Sequence, residues 1–511
     1  MKLSLIVILF FGYQFVFGQL NTPISGPVYE ITKKENFNGF IGENDQHLFT
    51  LDYAFSNRKK QELNVRRFAQ SNMAFVDEVN IYSVLEEEYY NEPKEVFYSN
   101  DTIFLFSILT GDKDLTPLIS LELFNQYGER LQYSIVDSVR FDEHYHIKEA
   151  EDKKGFLIAR HNKFRNLAEQ EIYLLALDNS GKTKWKNTLK SPYALQSLTI
   201  EEIYYSSESP VYLLCNYGLN LDNKSIDNEL VNNTYALWAY KPENKFLKEF
   251  ELRLNNRWIN GVKMHYDGKG ELLISGFTNE TRKKTVNGVF SLIINKDFTI
   301  KQNHTYKFTK AFLSKFLTAK ELDRQKELED MILRDLVLLS DGSYFLLSEH
   351  YNQYTERNYD PRTNITTTTE HYNYNSIMVS YFDKTGKHIW SDRIPKFQHS
   401  INDFGYFSSF SYLHNKNDIY IFFNDSQKNN ELELDDYFNY NGIYNNRKFQ
   451  ITQVHLNRYE VVDRNEFLLQ GNNNFMLRAK RSNQINSESI YLLGESGRNR
   501  KIIKVNIASP Q

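Results

Sequence analysis

The chain has 511 residues, of which 41% are hydrophobic and 25% charged, and its formal net charge is −4. The apolar content is enough for a packed core, which excludes a disordered protein. The near balance of charge offers no basic face for general nucleic-acid binding. Tyr and Phe are unusually frequent, at 35 and 37, and the single cysteine excludes an internal disulfide.

The first 18 residues have the pattern of a secretory signal peptide. A mostly apolar stretch follows Lys2, and the small residues Val16 and Gly18 precede the expected cleavage between Gly18 and Gln19. A membrane anchor is the alternative, but the stretch is shorter than the ~20 residues that span a bilayer. We therefore expect an exported protein, periplasmic or extracellular, with no transmembrane segment after cleavage.

A short apolar run recurs along the whole chain, at intervals of about 55 to 70 residues. Because each run is continuously apolar rather than alternating, we expect strands that are buried on both faces. The eight runs occupy residues 47–51, 102–106, 155–159, 211–215, 271–275, 343–347, 418–422 and 489–493.

Each run belongs to a unit of four predicted strands. One strand precedes the run and two follow it, separated by a tight turn such as the one that contains Asp178 and Gly181, or Asp383 and Gly386. Asp bonds its own backbone and Gly accepts positive φ, as a reversal requires. Repeated four-stranded units predict an all-β β-propeller of about eight blades, formed by residues 19–511 as one domain. Seven blades is the alternative, if one weak repeat is decoration.

The last repeat lacks a strand. It offers three, at 475–479, 490–493 and 501–507, before the chain ends. Residues 28–32 form a further candidate strand ahead of the first complete repeat. We expect this N-terminal strand to pair with the last blade, since such pairing closes the ring and leaves no open sheet edge.

Two turn-and-strand segments, 175–185 and 381–390, resemble the repeat of quinoprotein-type eight-bladed propellers. Enzymes of that class often carry adjacent paired cysteines, and this chain has one cysteine, so no cofactor is expected. Segments 341–347, 390–396, 402–410 and 419–425 resemble a family of exported β-propeller proteins of Bacteroidota. That resemblance implies the fold and the compartment, and it implies no activity.

The long insertions fall on one face. They are 216–233, 350–375, 424–446 and a short helical insertion near 318–334, which begins with a capping-box pattern at Thr318 and Glu321. Long loops on a rigid scaffold often carry binding, although a solvated loop is the alternative. We take Tyr354, Tyr359, Tyr372 and Tyr437 as the candidate binding residues, because tyrosine gives a large amphipathic contact area.

Few sequence motifs indicate catalysis or metal binding. His144 and His146 lie on the same side of a predicted strand, but no third ligand is evident, so no metal site is expected. We favour an envelope scaffold or protein-interaction module whose partner is an envelope protein or a glycan. A glycan-binding module and a polysaccharide lyase or hydrolase with a site at the axial channel remain open, so whether the protein is an enzyme is undecided.

Overall fold

The computed structural model is an all-β ring. It describes residues 20–507 except 33–34, 58–59, 82–88, 112–114, 141–142, 163–170, 192–195, 220–232, 244, 255, 269, 282, 325, 416, 434, 444–448 and 468–474. The predicted signal peptide, residues 1–18, and most of the insertion predicted at 216–233 lie outside the described residues.

Across the described ranges, the strands form eight antiparallel sheets. Seven sheets take consecutive strands of the chain, as propeller blades do, and the eighth combines the last strands with the two N-terminal ones. The first strand of a blade lies at the axis and the fourth at the rim. Two N-terminal strands and the first four blades comprise β1 (Ile24–Ser25), β2 (Tyr29–Glu30), β3 (Glu35–Glu43), β4 (His47–Asn57), β5 (Lys60–Ala69), β6 (Phe75–Ile81), β7 (Tyr89–Ser99), β8 (Thr102–Gly111), β9 (Leu118–Asn125), β10 (Arg130–Ser138), β11 (Glu143–Glu149), β12 (Phe156–Asn162), β13 (Glu171–Leu177), β14 (Thr183–Lys190), β15 (Gln196–Tyr204), β16 (Val211–Leu219), β17 (Asn233–Lys241) and β18 (Phe246–Glu251).

Of the other four blades, the fifth and seventh are also four-stranded, the sixth gains a fifth strand, and the eighth contains several two-residue strands. Their elements are β19 (Trp258–Tyr266), β20 (Leu272–Asn279), β21 (Gly288–Ile294), β22 (Ile300–Lys307), α1 (Lys310–Leu313), α2 (Ala319–Asp323), β23 (Met331–Leu338), β24 (Tyr344–Asp360), β25 (Ile365–Phe382), β26 (His388–Ile394), β27 (Gln398–Ile401), β28 (Ser411–His414), β29 (Asp418–Ser426), a 3-10 turn (Gln427–Glu431), β30 (Phe449–Asn457), β31 (Val461–Glu466), β32 (Met476–Leu477), a 3-10 turn (Ala479–Arg481), β33 (Asn483–Gln484), β34 (Ser489–Ser496) and β35 (Asn499–Asn506).

The predicted fold is confirmed, with eight blades rather than seven. Each apolar run lies on the second strand of its blade, and in β20 every residue is buried. The turn at Asp178 has the expected geometry, because its Oδ1 accepts hydrogen bonds from two backbone amides and Gly181 has a φ of +77°.

The hydrophobic core is divided among the spaces between blades. In the part of the chain that the structure describes, eight clusters of buried side chains each join two neighbouring blades. Leu174 and Trp238, for example, join the third and fourth blades. Phe37 and Tyr491 join the first blade to the eighth, so the packing runs around a closed ring.

The seam between the first and eighth blades combines strand pairing with a buried ion cluster. Strands β1 and β2 both pair antiparallel with β35, which gives the eighth blade its outer edge. The guanidinium of Arg500 is fully buried, binds Asp52 of the first blade and lies 3.2 Å from Glu495 of the eighth. Asp52 also lies 3.1 Å from Arg66. The ring of Tyr29 covers this cluster and packs 5.1 Å from Phe68.

The helix predicted near 318–334 is much shorter. The capping box at Thr318 is present, with its amide donating to Glu321 at 2.9 Å, but α2 ends at Asp323. Glu327 accepts a hydrogen bond from Asn287 at 2.8 Å, and this contact ties the chain to the fifth blade. After α2, Leu328 forms an antiparallel bridge with Val286, and β23 begins at Met331.

The insertion predicted at 350–375 is not an irregular loop. Strands β24 and β25 continue beyond the blade as a paired hairpin, which turns between Asp360 and Ile365. Strand β27 pairs with its base, where Gln398 lies opposite Tyr374. The alternating Tyr and polar residues of one strand and the β-branched run of the other favour a ribbon over a loop. No helix among the residues described has the length and hydropathy needed to cross a bilayer.

Candidate functional site

One face of the ring carries the large additions. It receives the connections between second and third strands and those between consecutive blades, and we call it the insertion face. Its components are α1, α2, the hairpin 351–374, the segment 398–410 and the segment 427–443. Large exposed apolar side chains are spread over these components, namely Tyr354, Tyr359, Ile365, Ile401, Phe404 and Phe438.

The four predicted tyrosines differ in their exposure in the structure. Tyr354 and Tyr359 lie exposed on the hairpin, so both present their rings on the insertion face. Tyr372 is only 2% exposed, and its hydroxyl donates to Glu370, so its ring lies beneath the surface of this face. Tyr437 is half-buried; its ring lies 5.4 Å from the Lys315 ammonium, and its hydroxyl donates to Asp392 at 3.3 Å.

Sequence reasoning missed Phe404, which at 73% is the most exposed large apolar side chain among the described residues of this face. Its φ of +57° is unusual for a bulky residue and turns the ring outward. Lys480 of the eighth blade donates to the Phe404 carbonyl at 2.7 Å and holds this conformation. Burial lowers the pKa of Lys480 to about 8, but the lysine stays mainly protonated at neutral pH. A phenylalanine ordinarily belongs to a core, so no local pattern indicated that this ring would be exposed.

Stacked rings stiffen the base of the hairpin. The ring of Tyr354 stacks on His371 with centroids 4.5 Å apart and an interplanar angle of 6°. Nδ1 of His371 lies 3.0 Å from Nε2 of His399, and its Nε2 lies 3.3 Å from Glu356. Burial, aided by His371, lowers the pKa of His399. The exposed tyrosine is therefore held in one orientation.

A pocket opens between α2, the base of the hairpin and the segment 427–443. Its volume is about 310 Å³, and the guanidinium of Arg393 forms part of its floor. Arg393 is 6% exposed, and this burial lowers its pKa to about 10, so the group remains charged at neutral pH. The apolar part of the wall consists of Phe316, Leu317, Leu328, Met331, Phe397 and Phe438. We call this space the Arg393 pocket.

A second, larger cavity of about 810 Å³ lies along the innermost strands of blades two to five. His146, His265, Glu201 and the paired rings of Tyr204 and Tyr266, 4.5 Å apart, contribute to its wall. Burial lowers the pKa of both histidines, and it raises the pKa of Tyr204 to about 12. The wall is therefore polar, and its two histidines are uncharged at neutral pH.

The predicted histidine pair belongs to a small stack. The rings of His144 and His146 lie 5.2 Å and 5.8 Å from the ring of His161, on the neighbouring strand. Burial, aided by His146, lowers the pKa of His161 to about 4. Among the residues that the structure describes, no group of three His, Cys, Asp or Glu is placed to hold a metal ion.

Comparison with known proteins gives distant likenesses. No protein-family model matches this sequence, and no curated protein matches it. Among solved structures, the chain is similar to the WD40 domain of SCAP from fission yeast, with 7% identity over 96% of this chain and 98% of that chain and a TM-score of 0.38. It is also similar to cobalt-substituted apocarotenoid oxygenase from Synechocystis, with 11% identity over 70% and 71% of the two chains and a TM-score of 0.35. Since both TM-scores are below 0.5, the fold assignment rests on the sheet order and the ring of core clusters.

Proposed function

We propose that this protein is a protein-interaction module that binds its partner through the insertion face. The observation that carries the proposal is the projecting hairpin with the exposed rings of Tyr354 and Tyr359, flanked by the exposed ring of Phe404. Aromatic side chains are enriched at the centres of protein interfaces, where one buried ring contributes on the order of 2 kcal/mol.

Rigidity supports the proposal as well. The hairpin is fully paired, β27 widens its base, and the stack of Tyr354 on His371 fixes one ring. A preorganised surface loses little conformational entropy on binding, so more of its contact energy appears as affinity.

The test is site-specific photo-crosslinking in the source cells. A photoreactive phenylalanine analogue replaces Tyr359 on the hairpin or, as a matched control, Tyr459, which lies equally exposed in a turn on the opposite face. We expect covalent protein adducts of defined mass from position 359 and none from position 459. Replacing Tyr354 and Phe404 by Ala should reduce the adduct by about 30-fold or more, since ~2 kcal/mol corresponds to that factor.

Adducts formed at position 459 alone, or an unchanged yield after the two alanine substitutions, would place the working surface elsewhere. Normal thermal unfolding of each variant would show that the loss is not a folding defect.

We also propose that the protein acts outside the cytoplasm, at the cell envelope. The support is the signal-peptide pattern of residues 1–18. The intact mass of protein purified from the native envelope tests this, because a mass that retains Met1 to Gly18 contradicts cleavage.

A second candidate function is glycan binding, or cleavage of a polysaccharide, in the axial cavity. The volume of about 810 Å³ and the paired rings of Tyr204 and Tyr266 beside Glu201 favour it. Replacing both tyrosines by Ala and measuring retention on immobilised envelope polysaccharide tests this candidate. Equal retention of the two proteins would rule out binding through these rings.

A further inference from the structure

One buried arginine differs from all the others. Six arginines are buried in the described parts of the chain. Five of them have a carboxylate within 4 Å, and these five are Arg66, Arg67, Arg160, Arg478 and Arg500. No carboxylate among the described residues comes within that distance of the Arg393 guanidinium, which is therefore the exception.

The contacts of Arg393 satisfy its hydrogens only in part. Its Nε donates to the hydroxyl of Ser376 at 2.8 Å, and its Nη1 donates to the carbonyl of Lys315. Within the described residues Nη2 donates to no protein group. Four aromatic rings surround the cation at 5.1 to 5.7 Å, those of Phe316, Phe397, Tyr437 and Phe438. Rings offset part of the desolvation cost of a buried charge, but they do not neutralise it.

The other charged groups of the Arg393 pocket are occupied or peripheral. Glu321 accepts from the Thr318 amide, and Glu327 accepts from Asn287. Lys326 and Glu329 are exposed at the rim. Burial lowers the pKa of His350, so its ring is neutral at physiological pH. Glu321, Glu327 and Glu329 keep their negative charges in the pocket lining, but no described carboxylate lies within 4 Å of the Arg393 guanidinium, which faces apolar side chains.

We propose that the Arg393 pocket binds the carboxyl end of a protein partner whose last residue is apolar. This inference rests on the proposed function of the insertion face, and it names the partner's chemistry there. A planar guanidinium binds a carboxylate with two parallel hydrogen bonds. The apolar walls need an apolar group within the same small space. A chain end carries both groups on one residue, whereas an Asp or Glu side chain has only a short methylene stem.

The size of the pocket agrees with this occupant. About 310 Å³ lies at the lower end of the roughly 300–1,000 Å³ typical of ligand pockets, which suits one residue rather than a long segment. The pocket lies beside the hairpin, so a partner seated on the insertion face can place its chain end there without leaving that face.

The experiment uses two matched probes on the purified full-length protein. N-acetylphenylalanine carries the terminal carboxylate, and N-acetylphenylalaninamide has the same apolar body without the charge. Titration calorimetry or ligand-observed NMR compares their affinities. We expect the acid to bind at least about tenfold more tightly than the amide, because a charged hydrogen-bonding pair replaces a neutral one.

Three variants assign the preference. Arg393→Gln should bring the acid and the amide to equal affinity. Lys326→Gln removes an exposed cation at the rim and should change the preference by less than about twofold, as expected for an exposed charge. Leu317→Trp fills the pocket, leaves Arg393 in place and should abolish binding of both probes. Circular dichroism and thermal unfolding verify that each variant is folded.

Equal affinities for the acid and the amide in the wild-type protein would overturn the proposal. A preference that survives in Arg393→Gln would do the same, and if that variant does not fold, acid binding that survives in Leu317→Trp would be decisive. These probes need no partner, so their failure leaves the crosslinks at Tyr359 unaffected, and the two proposals fail separately.

Discussion

Replacing Arg500 by methionine should destabilise the whole ring, not only the blade that contains it. Arg500 and Asp52 are both fully buried, and they join the eighth blade to the first. Breaking a buried ion pair by removing one partner costs about 3–5 kcal/mol. After the substitution Asp52 keeps Arg66 at 3.1 Å, and Glu495 keeps Arg478 at 3.2 Å. We therefore expect a cost near the lower limit, about 3 kcal/mol.

Urea unfolding monitored with two probes measures this effect. The four tryptophans, at 185, 238, 258 and 390, lie in blades three to six, away from the seam. If the ring unfolds as one unit, tryptophan fluorescence and far-UV circular dichroism should shift together to lower urea. Arg253→Met is the control, since that side chain is 79% exposed beside Glu251 and should cost about 1 kcal/mol or less. A fluorescence midpoint that stays unchanged in Arg500→Met would refute the idea that the seam supports distant blades.

Three further outcomes are expected. Replacing residues 355–370 by Asn-Gly should change the melting temperature by no more than about 2 °C, because the removed part of the hairpin is mainly exposed, and differential scanning calorimetry measures the change. Burial lowers the pKa of His388 to about 4, below the ordinary 6.5, so the unfolded chain takes up this proton first as the pH falls. The contribution of His388 to the free energy of unfolding is complete above pH 6.5 and is lost toward pH 4. His388→Phe should therefore lose less of its unfolding free energy between pH 6.5 and 4 in urea titrations. The phenylalanine ring can still stack on Tyr306 as the histidine does. The thiol of Cys215 is buried, which raises its pKa, so a thiol reagent should react with it only after denaturant is added.

The repeat could be predicted because its signals are local. A continuous apolar run marks a strand buried on both faces, and a turn such as the one at Asp383 and Gly386 marks a reversal. Both features depend on a few adjacent residues, and both are present in the structure. The helix predicted near 318–334 is longer than the helix in the structure, because Glu327 bonds to Asn287, a residue 40 positions away that a local pattern cannot show.

The candidate site was harder to predict, because exposure depends on the whole fold. Tyr372 and Tyr359 lie on the same hairpin, yet only the first is covered, by the segment that carries Phe404. The positive charge of Arg393 lies between the turn after α1, β25 and the segment 427–443, which converge only in the folded ring. A pattern in sequence cannot show that five other buried arginines have carboxylate partners, whereas Arg393 has none among the residues that the structure describes.

Because each core cluster is shared by two blades, the blades pack in a definite order while the chain is synthesised. Each cluster needs two blades, so a newly made blade is covered only after its successor has emerged. Seven of the eight interfaces can form progressively in this way. The cluster that contains Phe37 and Tyr491 joins residues more than four hundred positions apart and must wait for β34 and β35. Until then the growing chain is an open arc with an apolar face at each end, and such faces invite aggregation or chaperone binding.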